Sequence, residues 1–512
     1  MTQKPIKDKI FFLDDLVRRV ERFKRAGKVV VQSHGVFDIL HPGMLQHLNS
    51  AKEQGDVLIV TVIRDRDVKK GPGRPIFPEN LRAENAASLS IVDYVSVVDD
   101  EIPFQCVKAI KPDIFAKGQA YKDRDSVVHK RIFDEEKEIY FGKSKICETK
   151  GFSFSSSALI KDFSNIYAED VKMFLERFRR KYAFKDIAKR IDGLKGLRVL
   201  LIGDGIVDEY HYCTPLGKSA KAHLVVNKHL SHETFAGGVF AIANHIAGLC
   251  DNVRLISLLG NGDSKEDFIR NNLKPNVDAK FFHRDDGPTI VKKRYIDQYL
   301  NQKLFEVNYL NDNYIEERLE AEIVKCLKKK LPSYDIVLVS DFGHGFISKN
   351  VISAIKKFSA GFAVNTQTNG ANAGYNMITK YQGPAYVCLD EPEVRLSAQD
   401  RYGDIEAIAK ETACAVKSDY FIVTRGKHGS MGIDTRKGEV NATPAFSTKV
   451  IDTVGAGDAF FAYTAPCIAR GMPLDMVSFI GNAVGALAVQ IVCNKRPVEK
   501  RELLDFIHTL LK

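Results

Sequence analysis

The sequence predicts an α/β protein of two tandem domains, each a mostly parallel sheet with helices on its faces. Three observations carry this. Short, wholly apolar runs such as VLIVTVI at 57–63 and DIVLVSD at 335–341 recur along the chain. They alternate with helical patterns, and fully apolar strands between helices belong to sheets covered on both faces. The alternation is interrupted once, over a charged stretch at 161–195, and 512 residues are too many for one ordinary core.

In chain order, VVVQS at 29–33 reads as a buried strand, followed by a turn and an apolar helical pattern from Pro42 to about Gln54. Further strands follow at 57–63 and 92–98, and KPDIFAKGQAYK at 111–122 carries a strand to a turn. Residues 161–195 read as helical, with no strand. A new strand, RVLLIG, starts at 198, and YVCLDE at 386–391 and YFIVTRG at 420–426 extend the second set. Residues 222–230 and 288–307 mix β-formers with polar residues, as edge-type strands do. The expected boundaries are 1–160, a helical linker at 161–195, and 196–512.

Composition narrows the function. Lys and Arg outnumber Asp and Glu by 75 to 65, a net charge of +10 spread along the chain. That balance suits anionic small molecules such as phosphates. No basic stripe with interleaved aromatics suggests nucleic acid. No apolar run would span a bilayer, and the N-terminus lacks an apolar signal core, so no membrane partner and a cytoplasmic location are expected. Nine scattered cysteines without a CxxC pair read as reduced thiols.

The most informative segment is DTVGAGDAF at 452–460. Gly455, Ala456 and Gly457 leave backbone amides uncovered just ahead of an apolar helical stretch, where amides and the positive helix end attract an anion. Phosphoryl transfer needs such a hole, because negative charge shifts on the transferred oxygens. Asp458 falls in the first helical turn, where it can accept a hydroxyl proton. The bland alternative is a Gly-rich turn with an acidic cap. Other segments add to it: GDGIVDEY at 203–210 with Asp204 and Asp208, AGGVFAIANHIAGL at 236–249, LDEPEVRL at 389–396, and VTRGKHGSMG at 423–432.

In this order, these segments resemble the ribokinase-like (PfkB) sugar kinases over about residues 196–512. The resemblance implies an αβα sandwich with a small β lid that often pairs two subunits, hence a homodimer. It makes Asp458 the base and Gly455 to Gly457 the anion hole. Asp208, Gly237, Gly238 and Asn244 would hold the sugar, with Arg294 and Gln302 as further substrate contacts. Lys292, Lys293 and Arg294 could meet a phosphate already on the acceptor. Thr424, Gly426 and Gly429 would line the ATP site, and Glu393 would organise Mg2+ through water. Asp390 stands where the family usually has Asn.

The first domain carries SHGVFDILHPGM at 33–44, with an imidazole just before a helix and a glycine that lets the chain approach phosphate. VKKGPGRPIFPENLRAE at 68–84 is a basic Gly/Pro-rich loop, and FSSSALI at 154–160 puts three hydroxyls at a helix start. Together these resemble cytidylyltransferase-like nucleotidyltransferases of Rossmann-like fold over about 28–160. By that resemblance His41 and Lys70 are catalytic, and Gly35, Phe37, Asp38, Arg74, Ser155, Ser156 and Ser157 bind ATP or CTP. The family signature His-x-Gly-His reads His41-Pro42-Gly43-Met44 here. A thioether neither donates a proton nor carries charge, and loss of one transition-state donor costs about 3–4 kcal/mol. His34 or His47 could supply the missing charge, or the domain binds nucleotide without good turnover.

The two modules together resemble the bifunctional heptose kinases and adenylyltransferases of ADP-heptose synthesis, with the module order reversed. The expected activity is ATP-dependent phosphorylation of a sugar or sugar phosphate (a heptose 7-phosphate by the resemblance), then nucleotidyl transfer to a sugar 1-phosphate for lipopolysaccharide. The alternatives are a kinase fused to a degenerate nucleotide-binding regulatory domain, and a polyol kinase joined to a CTP-dependent polyol-phosphate cytidylyltransferase.

Overall fold

The computed structural model describes residues 5–68, 74–100, 103–117, 144–149, 167–370, 372–447 and 449–512. It forms two compact units, Met1–Ala188 with Leu504–Lys512, and Lys189–Leu503.

The first unit is built on five strands: β1 Val30–Gly35, β2 Val57–Ile63, β3 Tyr94–Val98, β4 Ile114–Lys117 and β5 Lys145–Glu148. Their order is β3-β2-β1-β4-β5, and every neighbour pair is parallel. Every residue of β2 is buried, as a strand with helices on both faces requires. Helices Leu13–Arg25, Pro42–Lys52, Glu79–Ser88 and Phe104–Ile110 alternate with the strands. The chain moves outward from β1 to β3, then returns to the other side of β1 at β4. That reversal opens a crevice beyond the carboxyl ends of β1 and β4, where open α/β sheets take ligands. Helices Glu169–Lys181 and Phe184–Asp192 occupy the charged stretch, with no strand among its described residues.

The second unit holds a nine-stranded sheet in the order β10-β9-β6-β13-β14-β15-β16-β17-β18. Its first seven strands in that order are β10 Val277–Arg284, β9 Asn252–Gly260, β6 Arg198–Gly203, β13 Ile336–Asp341, β14 Phe362–Thr366, β15 Tyr386–Asp390 and β16 Tyr420–Thr424, all parallel. β17 Ser430–Asp434 and β18 Glu439–Thr443 close the edge antiparallel. Helices Val239–Ala247, Ala456–Ala469 and Leu474–Ala488 are among those beside it.

A second, four-stranded sheet forms the lid, in the order β12-β11-β7-β8. β7 spans Gly205–Lys218, β8 Val225–Gly238, β11 Ile290–Asp297 and β12 Gln302–Tyr309. The two edge-type stretches read from sequence fall in β8, β11 and β12. β7 is the addition: the chain leaves β6 at Gly203 and enters the lid two residues later, so GDGIVDEY is a sheet-to-sheet crossing. Every residue of β12 is exposed. All nine cysteines are free. No helix among the described residues is long and apolar enough to cross a membrane.

Candidate active sites

In the second unit, Asp458 is the third residue of helix Ala456–Ala469 and only 6% exposed. Gly455 caps that helix with φ 85°, and a Cβ there would collide with Asn494 Oδ1. Both facts demand glycine. Gly457 faces open space, with nothing within 4 Å of a Cβ built on it. Its amide lies in the first helical turn, where no helical carbonyl precedes it. The Ala456 amide turns back to Thr453 O at 3.3 Å.

Gln367 Nε2 donates to Asp458 Oδ1 at 2.7 Å. Burial pushes the Asp458 carboxyl up to about 7; the Gln367 bond and Lys292 oppose the shift, while Asp208 and Glu393 add to it. A carboxylate that titrates near neutrality is suited to taking a proton and releasing it again. Asp208 is ion-paired to Arg294, whose Nε also reaches Glu306 Oε2 at 2.7 Å. A Cβ on Gly237 would overlap the Asp208 carboxylate, and Gly238 turns at φ 56° into helix Val239–Ala247. The Gly-Gly pair therefore makes room for the acid. Lys292, a buried residue of lid strand β11, pairs in register with Asp208 on β7, and burial lowers its pKa.

Asp452 braces the glycine loop. Its Oδ2 accepts from Tyr210 Oη at 2.7 Å and Cys493 N at 3.0 Å, and its Oδ1 accepts from Lys303 Nζ at 2.7 Å and Val454 N at 3.1 Å. Two of these partners are lid residues, so the lid and the loop are tied together. Sequence reading missed Asp452, Lys303, Gln367 and Asn494. It placed Gln302 at the substrate, but Gln302 lies exposed at the start of β12, and its neighbour Lys303 is the residue that reaches the loop. Asn244 is also elsewhere engaged: its amide donates to Asn272 O and accepts from Lys274 N, both at 2.8 Å, fastening one loop.

At the ends of β15 and β16, Asp390 and Glu393 form a capping box on helix Glu391–Ala398. Glu393 accepts from Asp390 N and Thr368 N, each at 3.0 Å, and burial pushes its carboxyl up to about 7. Thr424 Oγ1 donates to Asp390 Oδ1 at 3.1 Å. Gly426 and Gly429 both have positive φ, and a Cβ on Gly429 would strike Thr443 O.

In the first unit, β1 ends at Gly35, and Phe37 turns in the left-handed region at φ 51°. Asp38 is buried and accepts from Arg74 Nε at 2.9 Å, Ile76 N at 2.9 Å and Phe77 N at 3.0 Å. Asp38 and Arg74 thus fix the 74–77 loop. Arg82 is fully buried on the carbonyls of Val36, Ile63 and Phe77 and on Asp65. His41 caps helix Pro42–Lys52, its Nδ1 accepting from Met44 N at 3.3 Å, so its ring proton is assigned to Nε2. Burial lowers its pKa. The Met44 side chain packs on the core around Val31, Leu48 and Val60.

The expectation that His47 could replace the missing imidazole does not hold. Its two nitrogens bond to Ser33 Oγ at 2.7 Å and Thr149 Oγ1 at 2.5 Å, and burial pushes its pKa down to about 4. His34 Nδ1 sits 3.0 Å from Thr61 Oγ1. Lys70, Ser155, Ser156 and Ser157 lie outside the described residues.

Comparison with known proteins bears on both units. A family model described as pfkB family carbohydrate kinase matches residues 218–492, over half the chain. One described as cytidylyltransferase-like matches residues 33–162. A relative named bifunctional protein HldE from Nitratiruptor is 46% identical over 123 residues, 24% of this chain and 26% of the relative. The protein of that name from Vibrio atlanticus is 30% identical over 298 residues, 57% of this chain and 60% of the relative. The matched segments thus span from about a quarter to three-fifths of those relatives. Phosphofructokinase-2 from Escherichia coli, solved in complex with substrates and products, superposes with a TM-score of 0.51 at 14% identity, covering 62% of this chain and 100% of that one. That likeness concerns the fold.

Proposed function

The chain belongs to the pfkB family of carbohydrate kinases, and from that premise we propose a bifunctional sugar-activating enzyme. Its second unit would phosphorylate a sugar or sugar phosphate with ATP. Its first unit would transfer a nucleotidyl group from ATP or CTP to a sugar 1-phosphate. A heptose 7-phosphate acceptor and an ADP-heptose product for lipopolysaccharide are the finer reading, supported by the HldE relatives. We read the module order as reversed relative to that type of enzyme, with the domains divided as 1–160, 161–195 and 196–512. A cytoplasmic location is the reading that ATP and sugar-phosphate substrates support.

The observation that carries the kinase reading is Asp458: a buried carboxylate with its pKa raised to about 7, in the first turn of a helix whose cap must be glycine. In the proposed step the acceptor hydroxyl gives its proton to Asp458 as its oxygen attacks the γ-phosphorus. The bond to the β-phosphate oxygen breaks and ADP leaves. The Gly455 and Gly457 amides would face the γ-phosphoryl oxygens while the Ala456 amide stays on Thr453 O. Asp208 and Arg294 would hold the acceptor, and Thr424, Gly426 and Gly429 would line the nucleotide. Among the described residues no group of three His, Cys, Asp or Glu is arranged to hold a metal. That fits Mg2+ arriving on ATP phosphates, with most of its waters kept. Glu393, whose oxygens each accept one backbone N–H and retain lone pairs, is the residue assigned to meet those waters; bound Mg2+ would neutralise phosphate charge.

The apolar residues exposed on the lid, among them Leu216, Val225, Phe305 and Tyr309, support pairing of two lids in a homodimer. A kinase screen over sugars and sugar phosphates tests the activity, and Asp458→Asn should abolish most of it. A second reading of the first unit, as a nucleotide-binding regulatory module, is favoured by Met44 and by the neutral, occupied His47. A triphosphate panel with pyrophosphate release as readout separates the two, and a CTP preference would support a polyol-phosphate cytidylyltransferase.

A further inference from the structure

We propose that a small cavity at the root of the β11–β12 hairpin is an acceptor subsite, in which His344 and Asp204 recognise a sugar hydroxyl. This rests on the kinase reading of the second unit. The cavity is lined by Asp204, Arg284, Asn311 and His344, with Leu258 and Ile290 among its apolar walls. Asp204 follows β6, His344 follows β13 and Arg284 ends β10, so three parallel strands point their carboxyl ends at it. Ile290 begins β11 and Asn311 follows β12, so both chain crossings into the hairpin also border it.

His344 is 2% exposed, and neither ring nitrogen has a partner among the described residues. Burial, then Lys292, push its pKa down to about 4, so the ring is neutral at pH 7. A neutral imidazole offers one donor and one acceptor. Asp204 Oδ2 accepts from Phe342 N at 2.9 Å and His344 N at 3.4 Å, and burial together with the neighbouring Asp341 raises its pKa. Arg284 adds no open cation: its guanidinium is held by Asp286 and by the carbonyls of Asn311 and Asn313.

This chemistry selects the ligand. A phosphate only accepts hydrogen bonds at pH 7 and would meet Asp204. A hydroxyl both donates and accepts, so it can satisfy His344 and Asp204 together. A site built to bond a hydroxyl discriminates strongly against an analogue lacking it, because the buried groups are then left unpaired. Asp204 O accepts from Val239 N at 3.1 Å, beside the Gly237–Gly238 turn that makes room for Asp208, and Lys292 Nζ lies 5.8 Å from the centroid of the Phe342 ring, two residues before His344, so the cavity borders the groups assigned to the acceptor. His344 would therefore read the part of the acceptor away from the reacting hydroxyl.

The test is steady-state kinetics on the full chain with ATP and, as acceptors, mannose 6-phosphate and heptose 7-phosphate, with monodeoxy analogues of whichever is turned over. His344→Phe keeps a ring and removes both polar atoms; His344→Asn returns a donor and an acceptor. The Phe variant should raise the acceptor KM at least tenfold, ~1.4 kcal/mol, leave the ATP KM within twofold, and be partly rescued by Asn. One deoxy analogue should suffer a similar loss with the wild type and no added loss with the Phe variant. If the Phe variant fails to fold, the Asn variant and the deoxy series on the wild type decide. An unchanged acceptor KM, or an equal rise in the ATP KM, overturns the subsite. No turnover with these acceptors or with any other sugar or sugar phosphate of the kinase screen overturns the kinase reading instead.

Discussion

Burial acts on the two candidate sites in opposite directions. In the second unit it raises the Asp458 carboxyl to about 7, where a base is effective at neutral pH. In the first unit it lowers His47 to about 4, where an imidazole does not carry the positive charge that a crowded phosphorus calls for, and it shifts His41 in the same direction. Desolvation always favours the neutral form, so enclosing a carboxylate makes a base while enclosing a histidine removes a cation. The partners differ in the same way. Asp458 has one side-chain donor, Gln367, and a glycine turn beside it. His41 is a helix cap, and His47 is held at both nitrogens.

The largest effect should come from removing the carboxylate. Asp458→Asn should lower kinase turnover by about 10²–10⁴-fold while ATP affinity, followed by calorimetry, stays within a few-fold. Retention of full turnover would separate Asp458 from the chemistry. Next, Met44→His should raise pyrophosphate release from the first unit by about 10²–10³-fold, if a missing donor is what limits it; no gain would point to a domain kept for binding. Position 44 packs on the core edge without full burial, so an imidazole there would be less desolvated than His47.

Smaller effects concern stability. The Asp458 carboxyl is raised from 3.8 to about 7, so its protonated form is favoured by the fold. That contribution is fully present below about pH 4 and is lost as pH rises through 7. Asp458→Asn should therefore raise the Tm of the second unit at pH 8, with the gain shrinking toward pH 5; a gain independent of pH would contradict the burial of the charge. Replacing His41 by Ala removes one cap and should destabilise the first unit by about 0.5–2 kcal/mol, measured by urea titration.

Much of this contrast was legible in the sequence. The buried strands were, because parallel strands read as unbroken apolar runs: β2 and β6 match their expected spans. Gly455, Gly237 and Gly429 were singled out for an anion hole, a sugar contact and an ATP wall; the collision that a Cβ would meet at each comes from neighbours distant in the chain and was not legible. β7 was not, because GDGIVDEY crosses from one sheet to the other and drew attention only for its two carboxylates, Asp204 and Asp208. Gln367 and Lys303 left no local signature: they reach their partners across 91 and 149 residues of chain. Gln302 was preferred over Lys303 on an exposed strand whose pattern distinguishes neither. The fate of His47 was also hidden, because Ser33 and Thr149 enclose it from separate elements.

The most direct measurement is the pH dependence of kcat/KM for the kinase reaction in the wild-type chain. A single ionising base predicts a tenfold rise per pH unit below about 7 and a plateau above it, with that limb absent from the residual activity of Asp458→Asn. A rate that stays flat down to pH 5, or an identical limb in the variant, would contradict a neutral-range carboxylate as the base.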